Sequence, residues 1–190
     1  TDHLIFVKVA TGIGAGIISD GRLLRGAQGI AGDLGHVRVP RGADVPCHCG
    51  NTGCLEAIAS GPAIAQWLTE QGVPAEGLED VVALVRSGHP LAIDATRQAG
   101  RYVGEVLATL VNLLNPTVIV IGGSVARAGE HLLAGVREVV YRRSIPLATQ
   151  HLAILQSQVG TQGGVLGAAI MVTQQALSVE SVNRLVAEQR

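Results

Sequence analysis

The chain of 190 residues is long enough for one sizeable hydrophobic core, and its hydrophobic fraction of 47% excludes a disordered protein. Its 14 basic and 15 acidic side chains give a formal net charge of -1, without a basic stripe for nucleic-acid phosphates. Aromatic residues, at 2%, are too few for base-stacking platforms. No apolar run reaches the roughly 18 residues of a membrane span, and the first residues do not resemble a signal peptide. We therefore expect a folded, cytoplasmic domain that makes no membrane contact.

The first residues predict a meander of short strands. Apolar, β-branched runs alternate with a glycine-rich turn over residues 11–16. Asp20-Gly21 is typical of a type I′ hairpin turn, because both central positions of that turn need positive φ. The predicted strands are residues 3–9, 15–19 and 22–24. Since domains seldom open directly on a strand, we expect the chain to be the carboxy-terminal portion of a longer protein.

Helices and strands alternate through the rest of the sequence. Ser60 and Pro62 form a helix start signal, and Asn115 before Pro116 ends a long helix because a residue preceding proline avoids the helical region. Apolar residues at i, i+3 and i+4 mark the helices, and uninterrupted β-branched runs mark buried strands. The predicted helices are residues 63–71, 78–86, 91–114, 129–142 and 164–177, and the predicted strands are 117–121 and 152–155. This order predicts an α/β domain whose ligands lie at the carboxyl ends of the strands.

A glycine-rich segment contains all three cysteines. His36, Cys47, Cys49 and Cys54 are separated by 11, 2 and 5 positions. Any disulfide scheme would leave one thiol unpaired, and clustered thiols in a reducing compartment indicate a metal. A Cys₃His set fills the tetrahedral shell of Zn²⁺ and leaves no position for water, so these residues predict a structural zinc site.

Three alternatives to this zinc site come from the same residues. The cysteines could be free thiols in a loop, or Cys47 and Cys49 could form a Cys-x-Cys redox pair. His48 could replace His36 as the fourth ligand. We favour His36, because the backbone of His48 is held between two ligating cysteines and directs its side chain away from their ion.

The segments 32–36 and 47–56, GDLGH and CHCGNTGCLE, resemble the signature of the ROK family of bacterial sugar kinases and sugar-responsive repressors. The resemblance extends from the glycine turn at Thr11 to residues 163–169. It implies a ribonuclease H-like, actin-like ATPase (sugar kinase) lobe with an inserted zinc loop at about 33–56. It also implies that residues 1–190 form one carboxy-terminal domain, with an amino-terminal lobe and any DNA-binding domain elsewhere, in a homo-dimer or tetramer.

The same resemblance implies a sugar site made of Asp33, His36 and Glu56, with His36 shared between the zinc ion and a sugar hydroxyl. Carboxylates suit this role because each accepts two hydroxyl hydrogen bonds. Asp33 stands where the family usually has glutamate, so its shorter side chain implies a different sugar or pose. The expected ligand is a hexose or N-acetylhexosamine, free or phosphorylated. The structural alternatives are a turn-stabilising role for Asp33 and a helix first-turn role for Glu56.

Glycine turns that resemble the family's nucleotide-binding hairpin imply a second site, in which backbone N–H groups approach phosphates closely. The residues concerned are Thr11, Gly12, Gly14, Gly122 and Gly123. Ala10 and Ser124 stand where the family usually has glycine, so a purely structural turn is the alternative. ATP and Mg²⁺ are expected only if the protein is a kinase.

The family's catalytic aspartate belongs to an Asn-Asp pair, which does not occur in these 190 residues. Phosphoryl transfer needs a positioned base, so we expect that this chain alone is not a competent kinase. The favoured interpretation is the sugar-sensing effector domain of a ROK transcriptional regulator, with DNA bound only by an upstream domain. The alternatives are part of an ATP-dependent sugar kinase, related to glucokinases or N-acetylhexosamine kinases, and an interaction scaffold that binds neither ligand.

Overall fold

The computed structural model describes residues 1–188, which form two compact units. The first unit is Thr1–Ser157, and the second begins at Gln158. Every residue predicted for the metal, sugar or nucleotide sites lies in the first unit. No helix within residues 1–188 combines the length and the apolar character needed to cross a membrane. The single domain over residues 1–190 stays a prediction, and its last two residues lie outside the described part.

The first unit contains a mixed five-stranded sheet in the order β3-β2-β1-β4-β5. The strands are β1 Leu4–Val9, β2 Ile13–Ser19, β3 Arg22–Leu23, β4 Val118–Gly122 and β5 Ala153–Gln156. β2 pairs antiparallel with β1 and β3, whereas β4 pairs parallel with β1 and β5. Because β1 and β4 run in the same direction, their carboxyl ends meet at one edge of the sheet.

The predicted start of the second strand was wrong by two residues. β2 begins at Ile13, which pairs with Val9, and Gly14 pairs with Lys8, so the turn is confined to the residues just before Ile13. Pairing with β1 outweighs the low strand propensity of glycine. The hairpin prediction is confirmed, because Asp20 and Gly21 have φ values of 50° and 71°.

Helices follow the predicted order, with three short or terminal additions. They are α1 Leu55–Ala59, α2 Gly61–Glu70, α3 Leu78–Arg86, α4 Pro90–Leu114, α5 His131–Arg143, α6 Pro146–Thr149, and, in the second unit, α7 Gly163–Ala176 and α8 Val179–Glu188. The predictions lacked α1, α6 and α8. Ser60 is confirmed as an N-cap, since its Oγ accepts a hydrogen bond from the N–H of Ala63 at 3.3 Å. Asn115 closes α4 in the left-handed conformation, as expected of a residue that ends a helix before proline.

One hydrophobic cluster joins the central strands to the helices of the first unit. Ile5 and Val7 of β1 and Ile119 of β4 are fully buried, and they share this cluster with Leu107 of α4 and Leu132 of α5. Leu55 of α1 is also fully buried in it. The core therefore fixes α1 against the sheet, and α1 carries Glu56, one of the two carboxylates predicted for the sugar site.

Candidate metal centre and binding site

All four predicted metal ligands lie together in the structure. His36 ends the short 3₁₀ turn Leu34–His36, and its Nδ1 lies 3.7 Å from Cys47 Sγ. Cys49 Sγ and Cys54 Sγ are also 3.7 Å apart, and one donor atom from each of the four residues lies within 4.8 Å of the others. In a tetrahedral shell with Zn–S bonds of about 2.3 Å, neighbouring sulfur atoms are about 3.8 Å apart. The donor set therefore has the chemistry and the spacing of a four-ligand metal site.

Backbone pairing brings the distant ends of this segment together. Arg38 and Cys54 form an antiparallel bridge, flanked by hydrogen bonds from Val39 N–H to Gly53 O at 2.8 Å and from Leu55 N–H to Val37 O at 2.9 Å. These bonds place Cys54 beside the turn that carries His36. An ion held by the four candidate ligands would add a further link between the same parts of the segment.

The three thiols differ in acidity because their surroundings differ. Burial, together with the neighbouring thiols Cys49 and Cys47, raises the pKa of Cys54 to about 12. A backbone hydrogen bond from Asn51 lowers the pKa of the exposed Cys49 to about 7. A cation held at the centre stabilises thiolates, and so favours deprotonation of all three cysteines.

Glu56 lies in the first turn of α1, two residues after Cys54, and its carboxylate is held by another part of the fold. Its Oε2 accepts a hydrogen bond from the N–H of Ile13 at 2.8 Å, and its side chain is only 16% exposed. A Cβ added to Gly12 would lie 2.6 Å from Oε2. The carboxylate therefore turns toward the start of β2, and the alternative of a simple helix first-turn acid does not describe its contacts.

Sequence reasoning missed the surroundings of His48. Its Nδ1 lies 3.4 Å from Glu56 Oε1 and 3.9 Å from Cys47 Sγ. Its ring also meets that of His36 at a centroid distance of 5.4 Å and an interplanar angle of 71°. His36, His48 and Glu56 thus form a second group with donor atoms within 4.8 Å. No pattern of residues indicates this contact, because it depends on how the cysteine segment folds over α1.

Asp33 is exposed and immediately precedes the 3₁₀ turn that carries His36. Its side chain makes no capping hydrogen bond to that turn. Among the described residues, it belongs to neither of the two donor groups around His36. The structure therefore brings His36 and Glu56 together and leaves Asp33 beside them as a solvent-facing carboxylate.

The predicted nucleotide residues lie around the carboxyl ends of β1 and β4. Thr11 and Gly12 follow β1, whereas Gly14 lies inside β2. Gly122 ends β4, and Gly123 has a φ of 95°. A Cβ at Gly123 would lie 2.2 Å from the carbonyl oxygen of Val9, so glycine is needed where the two strand ends meet. A Cβ at Gly12 would also meet the Glu56 carboxylate, so the candidate nucleotide and sugar sites are adjacent.

Residues 1–175 match the sequence profile of the ROK family. This chain belongs to the ROK family. A glucokinase of Halalkalibacterium halodurans is 32% identical to it over 95% of this chain and 59% of the relative. The DNA-binding transcriptional dual regulator NagC of Escherichia coli is 34% identical over 92% of this chain and 45% of the relative.

Solved ROK structures share the fold. A ROK glucokinase from Streptomyces griseus, in complex with glucose and AMPPNP, superposes with a TM-score of 0.78 and 31% identity over 90% of this chain and 60% of that one. The predicted sugar-kinase, actin-like fold class is therefore confirmed. The chain spans about half the length of the ROK relatives that it matches.

Proposed function

We propose that this chain is the sugar-sensing effector lobe of a ROK transcriptional regulator and binds a hexose or N-acetylhexosamine beside its metal centre. The observation that carries this proposal is the carboxylate of Glu56, held by the Ile13 N–H at 2.8 Å next to His36. A half-buried carboxylate with a fixed orientation, a neighbouring imidazole and the exposed Asp33 offer several hydrogen-bond partners to sugar hydroxyls.

We further propose that the ion held by His36, Cys47, Cys49 and Cys54 is zinc. Three thiolates and one imidazole suit Zn²⁺, and a complete protein shell gives the ion a structural role. Bound there, the ion would hold the 3₁₀ turn of His36 against the N-cap of α1. Its contribution is to orient His36 and Glu56, with no chemistry at the sugar.

The preference for a regulator over a kinase rests on the glycine turns. Ala10 and Ser124 replace glycines of the kinase-like pattern, and Ser124 Oγ accepts a hydrogen bond from Arg127 at 3.2 Å. A regulator needs only a difference in sugar affinity between two conformations, without phosphoryl transfer. Similarity to both NagC and a glucokinase agrees with either function. The measurement that discriminates them is whether the protein converts ATP to ADP in the presence of sugar.

The test of sugar binding is a thermal-shift titration with glucose and with N-acetylglucosamine. At least one of these sugars is expected to raise the Tm. Glu56→Gln is expected to weaken the binding of that sugar by about tenfold or more, since a hydrogen bond to a charged group contributes about 1.5–3 kcal/mol. Glu79→Gln is the matched control, because Glu79 is exposed in the first turn of α3. An equal response in Glu56→Gln and the parent chain would overturn the sugar site.

The test of the regulatory role uses the complete protein that contains this lobe. Addition of the bound sugar should change its affinity for operator DNA and should not stimulate release of ADP from ATP. Sugar-dependent ADP formation that is lost in Glu56→Gln would overturn the regulator in favour of the kinase. The ATP measurement is a necessary control, because the ends of β1 and β4 still meet closely at Val9 and Gly123, where the predicted nucleotide site lies.

A further inference from the structure

We infer that His48 is a positioning residue, which holds the carboxylate of Glu56 in the orientation that binds sugar and keeps it apart from the metal centre. This inference rests on the proposed sugar site, and it gives a role to a residue that otherwise enters only as the alternative fourth metal ligand. His48 is neither one of the four ligands of the metal centre nor one of the predicted sugar contacts.

The position of His48 is set by its neighbours in the sequence. It lies between Cys47 and Cys49, so an ion bound by both cysteines fixes its backbone on each side. A hydrogen bond from Cys47 N–H to Asn51 O at 2.8 Å and one from Gly50 N–H to Cys47 O at 3.0 Å close the turn around it. Although the side chain is 75% exposed, it therefore has a well-anchored base.

The Nδ1 atom of His48 lies near two hydrogen-bond acceptors that carry negative charge when ionised. Glu56 Oε1 is 3.4 Å away and Cys47 Sγ is 3.9 Å away. A proton on Nδ1 can be donated to either acceptor, and it separates a thiolate of the metal centre from the sugar-site carboxylate. This donor therefore reduces the repulsion between the two negative charges.

The two carboxylate oxygens of Glu56 are consequently held by different partners. Oε2 accepts from the Ile13 N–H at 2.8 Å, and Oε1 faces His48. Each partner fixes one oxygen, so together they restrict rotation of the carboxylate about its last bond. The remaining lone pair of each oxygen is directed toward other partners, such as sugar hydroxyls.

The same contact also bears on metal selectivity. His36, His48 and Glu56 have donor atoms within 4.8 Å, and carboxylates are ordinary zinc ligands. If Glu56 turned toward the ion, it would be lost to the sugar. The ring of His48, with Nδ1 at 3.4 Å from Oε1, favours the orientation in which Glu56 faces β2.

Three substitutions of His48 separate this role from simple space filling. His48→Ala removes the donor. His48→Asn keeps an N–H donor at the same number of bonds from the backbone as Nδ1, whereas His48→Gln places its amide one bond farther away, like Nε2. His151→Ala is the matched control, since His151 is an exposed histidine between α6 and β5.

The first readout needs no sugar, because the Ile13 amide reports the position of Glu56. In the zinc-loaded chain, His48→Ala and His48→Gln should each speed hydrogen exchange of the Ile13 N–H by roughly fivefold to tenfold, in line with the loss of one modest polar contact that holds the acceptor Glu56. His48→Asn and His151→Ala should exchange like the parent chain. Zinc content should remain one ion per chain in all four variants.

The second readout is the affinity for glucose and N-acetylglucosamine. It should fall in His48→Ala and His48→Gln and be restored in His48→Asn. Unchanged Ile13 exchange in His48→Ala, or equal effects of Ala and Asn, would overturn the inference. A parent chain that binds neither sugar would instead contradict the proposed function, and the exchange measurement would still decide the role of His48.

Discussion

The carboxylate of Glu56 accepts a hydrogen bond from the backbone N–H of Ile13 across 43 positions of sequence, at 2.8 Å. Ile13 is the first residue of β2, and Glu56 follows the predicted metal ligand Cys54 by two positions. This one bond connects the cysteine segment to the glycine turn at the edge of the sheet. A change in either the cysteine segment or the glycine turn would therefore alter the position of the Glu56 carboxylate.

Substitution of Gly12 should affect sugar binding without damaging the fold. A Cβ at this position would lie 2.6 Å from Glu56 Oε2, and the end of a flexible side chain can move more easily than backbone. We expect Gly12→Ala to displace the carboxylate and weaken sugar binding about tenfold, the loss expected for a hydrogen bond to a charged group. Titration calorimetry with the sugar found by thermal shift measures this change.

The control for that prediction is Gly14→Ala, because no atom lies within 4 Å of a Cβ at Gly14. Gly14→Ala should leave sugar affinity unchanged. If both variants bind sugar like the parent chain, the carboxylate of Glu56 is not a sugar contact.

Removal of the metal should destabilise the first unit and should become easier at low pH. Zinc binds thiolates, so protons compete with it, and affinity falls as pH falls. With the pKa of Cys49 lowered to about 7 and that of Cys54 raised to about 12 by burial, uptake of the ion must release protons at neutral pH. We expect a chelator to lower the Tm at pH 8 and to extract the ion faster at pH 6.

A colorimetric zinc indicator measures this release, and Cys54→Ser provides the comparison. The variant should lose the ion at pH 8 without a chelator. Retention of a full equivalent of zinc in Cys54→Ser would show that Cys54 is not a ligand.

The ion pairs of Glu138 should make the free energy of unfolding depend on pH in the acidic range. Its carboxylate accepts from Arg101 Nε at 3.1 Å and from Arg97 at 3.3 Å, and hydrogen bonding by Arg101 is the main cause of its lowered pKa. A pKa lowered by folding stabilises the protein above the unfolded-state value, about 4.3. This stabilisation is lost as pH falls through the folded-state pKa.

We therefore expect Glu138→Gln to lower the free energy of unfolding at pH 7 and to have a smaller effect below about pH 4. Urea denaturation at the two pH values measures the difference. Glu130→Gln serves as control, because Glu130 is 67% exposed and, among the described residues, has one ion pair, with Arg137 at 3.5 Å. An effect of Glu138→Gln that is independent of pH would contradict the prediction.

Local patterns predicted most of the fold. The apolar periodicity of α4, the cap at Ser60 and the type I′ turn at Asp20 each depend on a few neighbouring residues, so the sequence contains the information. The helix α1 was missed because five residues are too few to show a helical period. The start of β2 was missed because pairing with β1 decides it, and pairing is a non-local interaction.

The candidate site divides in the same way. The spacing of the cysteines and His36 predicted a group of four possible ligands that the structure brings together, since such a set leaves a recognisable pattern. The contacts of Glu56 with Ile13 and His48 left no such pattern. They arise where a sheet edge, a turn and a helix start meet, and their partners are a backbone N–H and an exposed ring.

The pairing of Arg38 with Cys54 has a consequence for handling the protein. Arg38 and Arg41 are both exposed and lie between the predicted metal ligands His36 and Cys47, so both are potential trypsin sites. While the ion is bound, the Arg38 backbone is held in a bridge that a protease cannot readily accommodate. Partial digestion of a preparation would thus reveal the fraction of molecules that have lost their metal.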